Sequence, residues 1–415
     1  MKKFRRVLAL FTAVTMTVAA IGCSKEVTAE DLMTNVETTN APEVYIGESV
    51  CDKYSVAAFK MLRKAYSQED TNVVISPAAI YTNLFMLSNG ATGKTKNDLQ
   101  GVLGKLYDSD FLNSNMNSFK NNFKDTDNTK LYFNNAMWFN SDRNITPSSE
   151  FLAAAKSFYN ADAYKESFSK DAVTNINNWA SNKTDMYAER IIKEIPADVP
   201  MYLVNTTLLE ADWENPIRPA DIYDGKFKTV SGNEQDAQMM SCVETVYMGN
   251  ESVIGFIKNY AGGNYAFVAF IPHNDKLSLY ELLDYMSREG AYREMIKNRK
   301  DYINVNAVIP KLSCRYNGEI NEMLENAELG EIFSKEYDDF EDLGTCDENI
   351  YLGGFAVSTG LDITESGTKK GTGANTGIEN NGVGESVSLD RPFVFAVVET
   401  KRYMPVIMGA VNSVK

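Results

Sequence analysis

The stretch NVVISPAAIYTNLFMLSNGATGKTKNDLQGVL, residues 72–103, is the part of this 415-residue chain whose reading decides the fold. Residues 72–75 form a short apolar run that reads as a buried strand. Ser76-Pro77 follows as N-cap and first helical residue, a position where the missing proline N–H costs nothing. Ile80, Leu84 and Leu87 give this helix a buried stripe, and Asn89-Gly90 stops it. A further short helix is predicted to begin at Thr95. Upstream, Val56, Phe59, Leu62 and Tyr66 recur at helical spacing, so an amphipathic helix over 53–66 leads into the strand.

Strands dominate the later chain. Residues 202–209 form a continuous apolar strand, and 303–309 (INVNAVI) alternates with period two, so one face is buried and one wet. Helices are predicted over 277–286, with Leu279, Leu282, Leu283 and Met286 inward, and over 319–329. Phe355 to Ile363, Arg391 to Val398 and Met404 to Val411 read as strands. Helices early and strands late argue for an α+β domain. Between the last groups of strands lies ITESGTKKGTGANTGIENNGVGE, residues 363–385, with six glycines and almost no large apolar side chain. It cannot pack a core. A long arm held by sheet at both ends is either a tolerated surface insertion or a bait or binding loop.

The formal net charge is −15; the first 22 residues carry four cations and no acid, so the remainder stands at −15 − 4 = −19. Such a surface repels nucleic acid and anionic lipid, and both are set aside as partners. Residues 1–22 have the layout of an export signal: a basic start, an apolar run from Val7 to Ile21, then small residues. Ala20-Ile21-Gly22-Cys23 resembles the site at which bacterial lipoproteins are cut and their cysteine acylated, with Ala20 in place of the usual leucine. The alternative is an ordinary secretory signal. Residues 23–46 are polar and acidic, suited to a flexible tether, so any membrane link runs through lipid on Cys23 and the protein is extracellular, secreted or anchored. Cys51, Cys242, Cys314 and Cys346 contain no C-x-x-C pair, and their disulfide state stays open.

Enzyme chemistry finds little support. The single histidine, His273, sits in an Ile-Pro-His-Asn-Asp turn with no G-x-S-x-G elbow before it. Asp338, Asp339, Glu341 and Asp342 read as a solvated acidic face rather than metal ligands, and Gly371 and Gly373 lack the strand and helix that a phosphate loop needs. No cofactor and no metal are expected.

Residues 72–103, with their strand, Ser-Pro, buried helix and Gly-Ala-x-Gly-x-Thr, resemble the serpin family. Collinear matches recur at Ile176 to Lys183, LVNTTLLEADWENP (203–216), AFVAFIPHNDKLSLYELL (266–283), VNAVIPKLSCRYNGEINEML (305–324), and from DRPFVFAVVE to PVIMGAV. The resemblance covers residues 50–415 and implies a single serpin domain over 47–415, an α+β fold of three β-sheets with eight or nine helices, and a reactive-centre loop at about 363–388. It also implies a function needing no catalytic residue. A serine or cysteine endoprotease attacks the loop as an acyl-enzyme, and the cut segment inserts as a central strand of the main sheet, deforming the enzyme. The protein would then be a monomeric suicide-substrate inhibitor of serine proteases.

Carried over residue by residue, the resemblance makes Glu365, Ser366, Gly367 and Thr368 the hinge, with Gly367 the bend and Thr368 the first side chain inward. Lys370, Thr372 and Ala374 follow on the same face by period-two alternation. The family's spacing, counted from the hinge and back from Pro392, puts the reactive bond at Asn381-Gly382. A slightly shifted register gives Ile378 or Val383, which an elastase-like enzyme prefers; a chymotrypsin-like target is the other expectation. The sheet-opening region carries Ser76, Asn205 and Trp213, whereas Ala79 and Val357 replace the family's serine and histidine, and Lys370 replaces a small residue. An unpaired ammonium is costly to bury. The alternative reading is therefore a non-inhibitory serpin-fold surface or binding protein, cleaved as a substrate.

Overall fold

The computed structural model describes residues 24–40, 42–274, 277–368 and 384–415. In chain order the first elements are β1 (Glu30–Asp31), α1 (Glu48–Ala65), β2 (Val73–Ile75), α2 (Pro77–Ser88), α3 (Gly93–Gly101), α4 (Ser109–Lys120) and β3 (Thr129–Asn140). Next come β4 (Thr146–Pro147), α5 (Ser149–Tyr159), β5 (Ala161–Glu166), α6 (Lys170–Lys183) and β6 (Met201–Ala211). The middle of the chain holds β7 (Ile222–Lys228), β8 (Glu234–Gly249), β9 (Val253–Asn259), β10 (Tyr265–Pro272), α7 (Leu279–Met286) and α8 (Ala291–Lys297). It closes with β11 (Lys300–Pro310), β12 (Leu312–Glu319), α9 (Asn321–Leu324), β13 (Gly344–Thr345), β14 (Leu352–Ile363), β15 (Glu385–Ser388), β16 (Phe393–Glu399) and β17 (Pro405–Val411).

Ser76 caps α2 as its sequence predicts, accepting the Ala79 amide at 3.0 Å. The helix is not amphipathic, however. Every residue from Pro77 to Ser88 is buried, including Thr82 and Asn83, because α2 is enclosed on all sides instead of lying on a surface. The helix expected over 319–329 is shorter: α9 gives way to a wider turn in which Glu328 adopts φ +68°. Asp339, read as part of a solvated acidic face, instead accepts the Thr95 amide and hydroxyl at 3.1 and 2.8 Å in the first turn of α3. Thr92, the N-cap of that helix, offers no side-chain bond, so a distant carboxylate supplies what the local sequence lacks.

Three sheets are present among the described residues. The main sheet runs β1-β5-β3-β6-β14-β12; a second follows β15-β11-β8-β9-β10-β16-β17-β2, with β7 also on β8; β4 and β13 form a small pair. In the main sheet β6 and β14 are parallel neighbours, paired from Leu352↔Met201 to Gly360↔Leu208 with a register shift between Leu352 and Phe355. Both faces of β6 are covered. Leu203 and Leu209 join the main core, while Tyr202, Val204 and Leu208 join a smaller cluster with Ile176 and Trp179 of α6. That double burial is why its sequence shows no alternation of buried and exposed positions; Asn205, Thr206 and Thr207 at its centre are buried as well.

The segment expected to be a flexible tether is docked over most of its length. The Lys25 amide donates to Asn182 at 2.8 Å, the Thr28 amide to Asn175 at 3.1 Å, and Asn178 donates to the Glu26 carbonyl at 2.7 Å. β1 then extends the main sheet through Lys165 and Tyr164 of β5. Composition concealed this because backbone hydrogen bonds and a few scattered apolar side chains, Met33 and Ile46 among them, hold a mostly polar segment. The arm expected at 363–388 is shortened at both ends. Thr364 to Thr368 are anchored at the sheet, and Glu385–Ser388 pairs in parallel with β11, with Val387 fully buried.

Candidate functional site: the seam and hinge of the main sheet

The site is built where β14 ends. After Ile363 the chain reverses in a tight turn in which the Thr364 amide donates to the Gly367 carbonyl at 2.8 Å. Gly367 then bridges Asp212 in antiparallel sense, and the Thr368 amide donates to the Ala211 carbonyl at 2.8 Å. The Ala211 amide returns a bond to the Thr368 hydroxyl at 3.1 Å. Thr368 is fully buried. Gly367 is required here for two reasons: its φ is +151°, and a Cβ would lie 1.9 Å from the Ala211 carbonyl oxygen. Because β6 and β14 point the same way, the returning segment is antiparallel to both. It is aimed along the seam between them, from the end at which that seam is capped.

Trp213 underlies this turn. Its indole N–H donates to the Thr364 carbonyl at 2.9 Å, its amide donates to the Ser366 carbonyl at 2.7 Å, and its ring stacks on Tyr260 at 4.4 Å. Lys258 reaches the same ring at 5.2 Å and pairs with Glu244 at 2.7 Å, both charges nearly removed from water. Burial pushes the Glu244 carboxyl up. Burial also works against the charge on Lys258, but the adjacent Glu244 outweighs it and holds the ammonium up. The Lys258 ammonium also donates to the Asn215 carbonyl at 2.9 Å, which satisfies a second of its protons. On the rim, Glu365 pairs with Lys311 at 2.8 Å, and that hydrogen bond lowers its carboxyl pKa.

Ser76 and Asn205 lie beneath the seam, though not as one bonded pair. The Ser76 hydroxyl donates to the Val406 carbonyl at 2.8 Å. Asn205 donates to Asn135 at 2.8 Å, and Asn83 donates to the same oxygen at 2.8 Å. Thr207 closes the group by donating to Asn205 at 2.7 Å. Sequence reading found Asn205 and missed Asn83 and Asn135. Their signal was an asparagine inside an otherwise apolar helix and another inside a strand, both poor choices for a core unless paired. This amide cluster joins α2, β3 and β6 and leaves out β14, where Val357 faces Asn205 across the ladder.

Glu365, Ser366, Gly367, Thr368 and Trp213 are thus brought together. Asn381, Gly382, Ile378, Val383, Lys370, Thr372, Ala374 and Cys23 lie outside the described residues. Cys51, Cys242, Cys314 and Cys346 are all free thiols, which answers the open disulfide question. Burial pushes Cys51 up to about 11 and Cys242 and Cys314 up to about 12, so none of these three is a thiolate nucleophile. His273 is exposed, with Nδ1 at 3.1 Å from the Asn250 carbonyl. Among the described residues no cluster of His, Cys, Asp and Glu could hold a metal ion, and no helix is long and apolar enough to cross a membrane.

A sequence profile described as Serpin (serine protease inhibitor) matches residues 52–414, and the chain belongs to that family. It is 23% identical over 377 residues to Serpin A3-2 of Bos taurus, covering 88% of this chain and 90% of the relative. It is 22% identical over 395 residues to alpha-1-antitrypsin 1-4 of Mus musculus, covering 92% and 93%. Among solved structures it resembles the thermophilic serpin tengpin in its native state, with TM-score 0.87, 29% identity and coverage of 93% and 99%. Against tengpin in its latent state the TM-score is 0.76, with 28% identity and coverage of 90% and 100%. The family is one of protease inhibitors rather than enzymes, and its fold of three sheets and nine helices is the one described above.

Two outcomes follow for the hinge. Lys258→Met leaves Glu244 buried without its partner and should cost about 3 to 5 kcal/mol, whereas the double variant with Glu244→Gln should recover much of it; melting curves of both variants check this. Because the folded pKa of Glu365 is depressed, its contribution is present above the unfolded carboxylate range and is lost as pH falls through the folded value. Wild type should therefore exceed Glu365→Gln by under about 1 kcal/mol at neutral pH, and the gap should shrink as acidification protonates the folded carboxyl. Denaturation over a descending pH series measures it.

Proposed function

We propose that this serpin is an inhibitory one: a monomeric suicide substrate for serine endoproteases, exported by a bacterium and held at its surface through lipid on Cys23. The observation that carries the inhibitory reading is the hinge. Thr368 is already seated at the end of β6, on a segment directed antiparallel to the two parallel strands it would separate. Cleavage of the arm frees this segment to continue inward. Replacing one parallel ladder by two antiparallel ones adds on the order of ten hydrogen bonds at about 1 kcal/mol net each. The seam offers little side-chain resistance, since the amide cluster stops at β6 and Val357 stands opposite.

Asn381-Gly382 is the proposed scissile bond, with Ile378 and Val383 the alternatives if the target is elastase-like. A second reading is favoured by one residue. Lys370 follows Thr368 on the inward face, and an ammonium entering the seam slows insertion. Insertion slower than deacylation turns an inhibitor into a substrate. For the anchor, Cys23 lies two residues before Lys25, which is tied to α6, so acylation there holds the domain close to the bilayer.

Incubation with an elastase, a chymotrypsin and a trypsin should yield an SDS-resistant complex with at least one of them. Clean cleavage by all three without a complex, and no gain in melting temperature on nicking, would establish the substrate reading instead. Lys370→Ala should raise the fraction of cleavage events that end in complex, read as a lower inhibitor-to-enzyme ratio at full inhibition. Cys23→Ser should move the protein from the membrane to the soluble fraction of the producing cell.

A further inference from the structure

A cavity of about 360 Å³ opens between α1, the C-terminal end of α3 and the turn at 327–329, and it shares no lining residue with the hinge. That volume lies in the range of small-molecule sites. One flank is α1, which presents Ala57, Lys60, Met61 and Lys64 at the i, i+3, i+4, i+7 spacing of a single helical face. Leu103 and Leu329, both buried, stand among the apolar walls. The floor is Tyr81 of α2, which is 2% exposed. Tyr54 and Phe85 hold its ring at 5.6 and 6.1 Å, but its hydroxyl has no hydrogen-bond partner among the described residues. Burial alone pushes its phenol up, with no bond to offset it. The neighbouring Tyr54 shows the contrast, since its hydroxyl donates to the Pro405 carbonyl at 2.7 Å. A buried phenol without a partner is destabilising until something in the cavity supplies one.

The charges at the mouth are unequal in a way that selects the occupant. Lys64 is committed, donating to the Asn326 carbonyl at 2.8 Å. Asp98 is also taken, paired with Lys94 at 2.7 Å. Lys60 is exposed and has no ion-pair partner among the described residues; Glu328, the other carboxylate on the rim, pairs with neither lysine. We infer that this cavity is a binding site for a small organic acid, with its carboxylate at Lys60, its apolar body between Met61, Leu103 and Leu329, and a hydroxyl at its far end on Tyr81. A cation at an open rim and one polar group at the end of an apolar passage fix such a molecule in a single direction. Binding here makes no use of the arm, so it holds for an inhibitor and for a substrate alike.

The probe is p-coumarate, a rigid apolar body with a carboxylate at one end and a phenol at the other; cinnamate lacks the phenol and p-propylphenol the carboxylate. Calorimetric titration of the intact protein should give p-coumarate a Kd below about 1 mM. Tyr81→Phe should melt no lower than wild type, because the hydroxyl it removes has no partner, yet it should bind p-coumarate about tenfold more weakly and cinnamate as wild type does. Lys60→Met alters an exposed residue and should fold; it should weaken both acids about threefold, less at about 0.5 M than at about 0.05 M salt, and leave p-propylphenol unchanged. No binding of p-coumarate to wild type at about 1 mM would overturn the site. Equal affinities of wild type and Tyr81→Phe would overturn it in favour of a phenol met by water alone, and unchanged affinities in Lys60→Met would overturn the acid as its ligand. None of these titrations involves a protease, so each outcome is separate from the fate of the inhibitory reading.

Discussion

The structure depends on one seam, the parallel ladder between β6 and β14. A parallel pair is normally reached by a crossover that leaves both strands satisfied on their outer edges, and here β3 and β12 provide those edges. The pair lacks a polar lock of its own. Its backbone bonds are slanted, Val357 presents only methyls to Asn205, and the cap is a turn of four residues from Thr364 to Gly367. An antiparallel strand placed between the two would satisfy both better than they satisfy each other.

What holds the seam shut is therefore concentrated at its end. Thr368 exchanges two bonds with Ala211, Trp213 grips the carbonyls of Thr364 and Ser366, and the Lys258–Glu244 pair braces the indole from behind. Burying an ion pair is a poor way to gain stability, since desolvation offsets most of the attraction. It is a good way to fix a position. Lys258 can satisfy Glu244, the Asn215 carbonyl and the face of Trp213 from one place only, so the platform beneath the turn cannot drift without stranding a charge.

Much of this was legible in the sequence, and the parts that were not share a cause. The Ser76 cap, the strand of β6 and the closing strands follow from local rules, and each is found where those rules place it, whereas the hinge glycine, Gly367, was reached only through the family resemblance. The amide cluster was only half visible, because Asn83 and Asn135 meet across 52 residues and neither carries a local pattern. The docked N-terminal segment was hidden by its polarity. Its signal was on the partner: Asn175, Asn178 and Asn182 lie on one stripe of α6, and a row of asparagines at helical spacing is a surface for holding a backbone. Asp339 was misread for the same reason, since a carboxylate in an acidic run gives no sign that it caps a helix far back in the chain.

The two ends of the arm differ in a way that bears on how it works. At the leading end Gly367 and Thr368 pair with the end of β6 through Asp212 and Ala211, and the turn before them is held by Trp213 and Ile217. At the trailing end Glu385–Ser388 is locked into parallel pairing with β11, and Val387 is buried in the core. A cut between these ends leaves one piece free to travel and the other fixed. On the inhibitory reading proposed above, only the leading piece would follow the seam, carrying with it anything attached by an acyl bond. By the alternation that begins at Thr368, Lys370 would be the second inward residue of such a strand, and burying its ammonium would carry a desolvation cost that the hydroxyl of Thr368 does not.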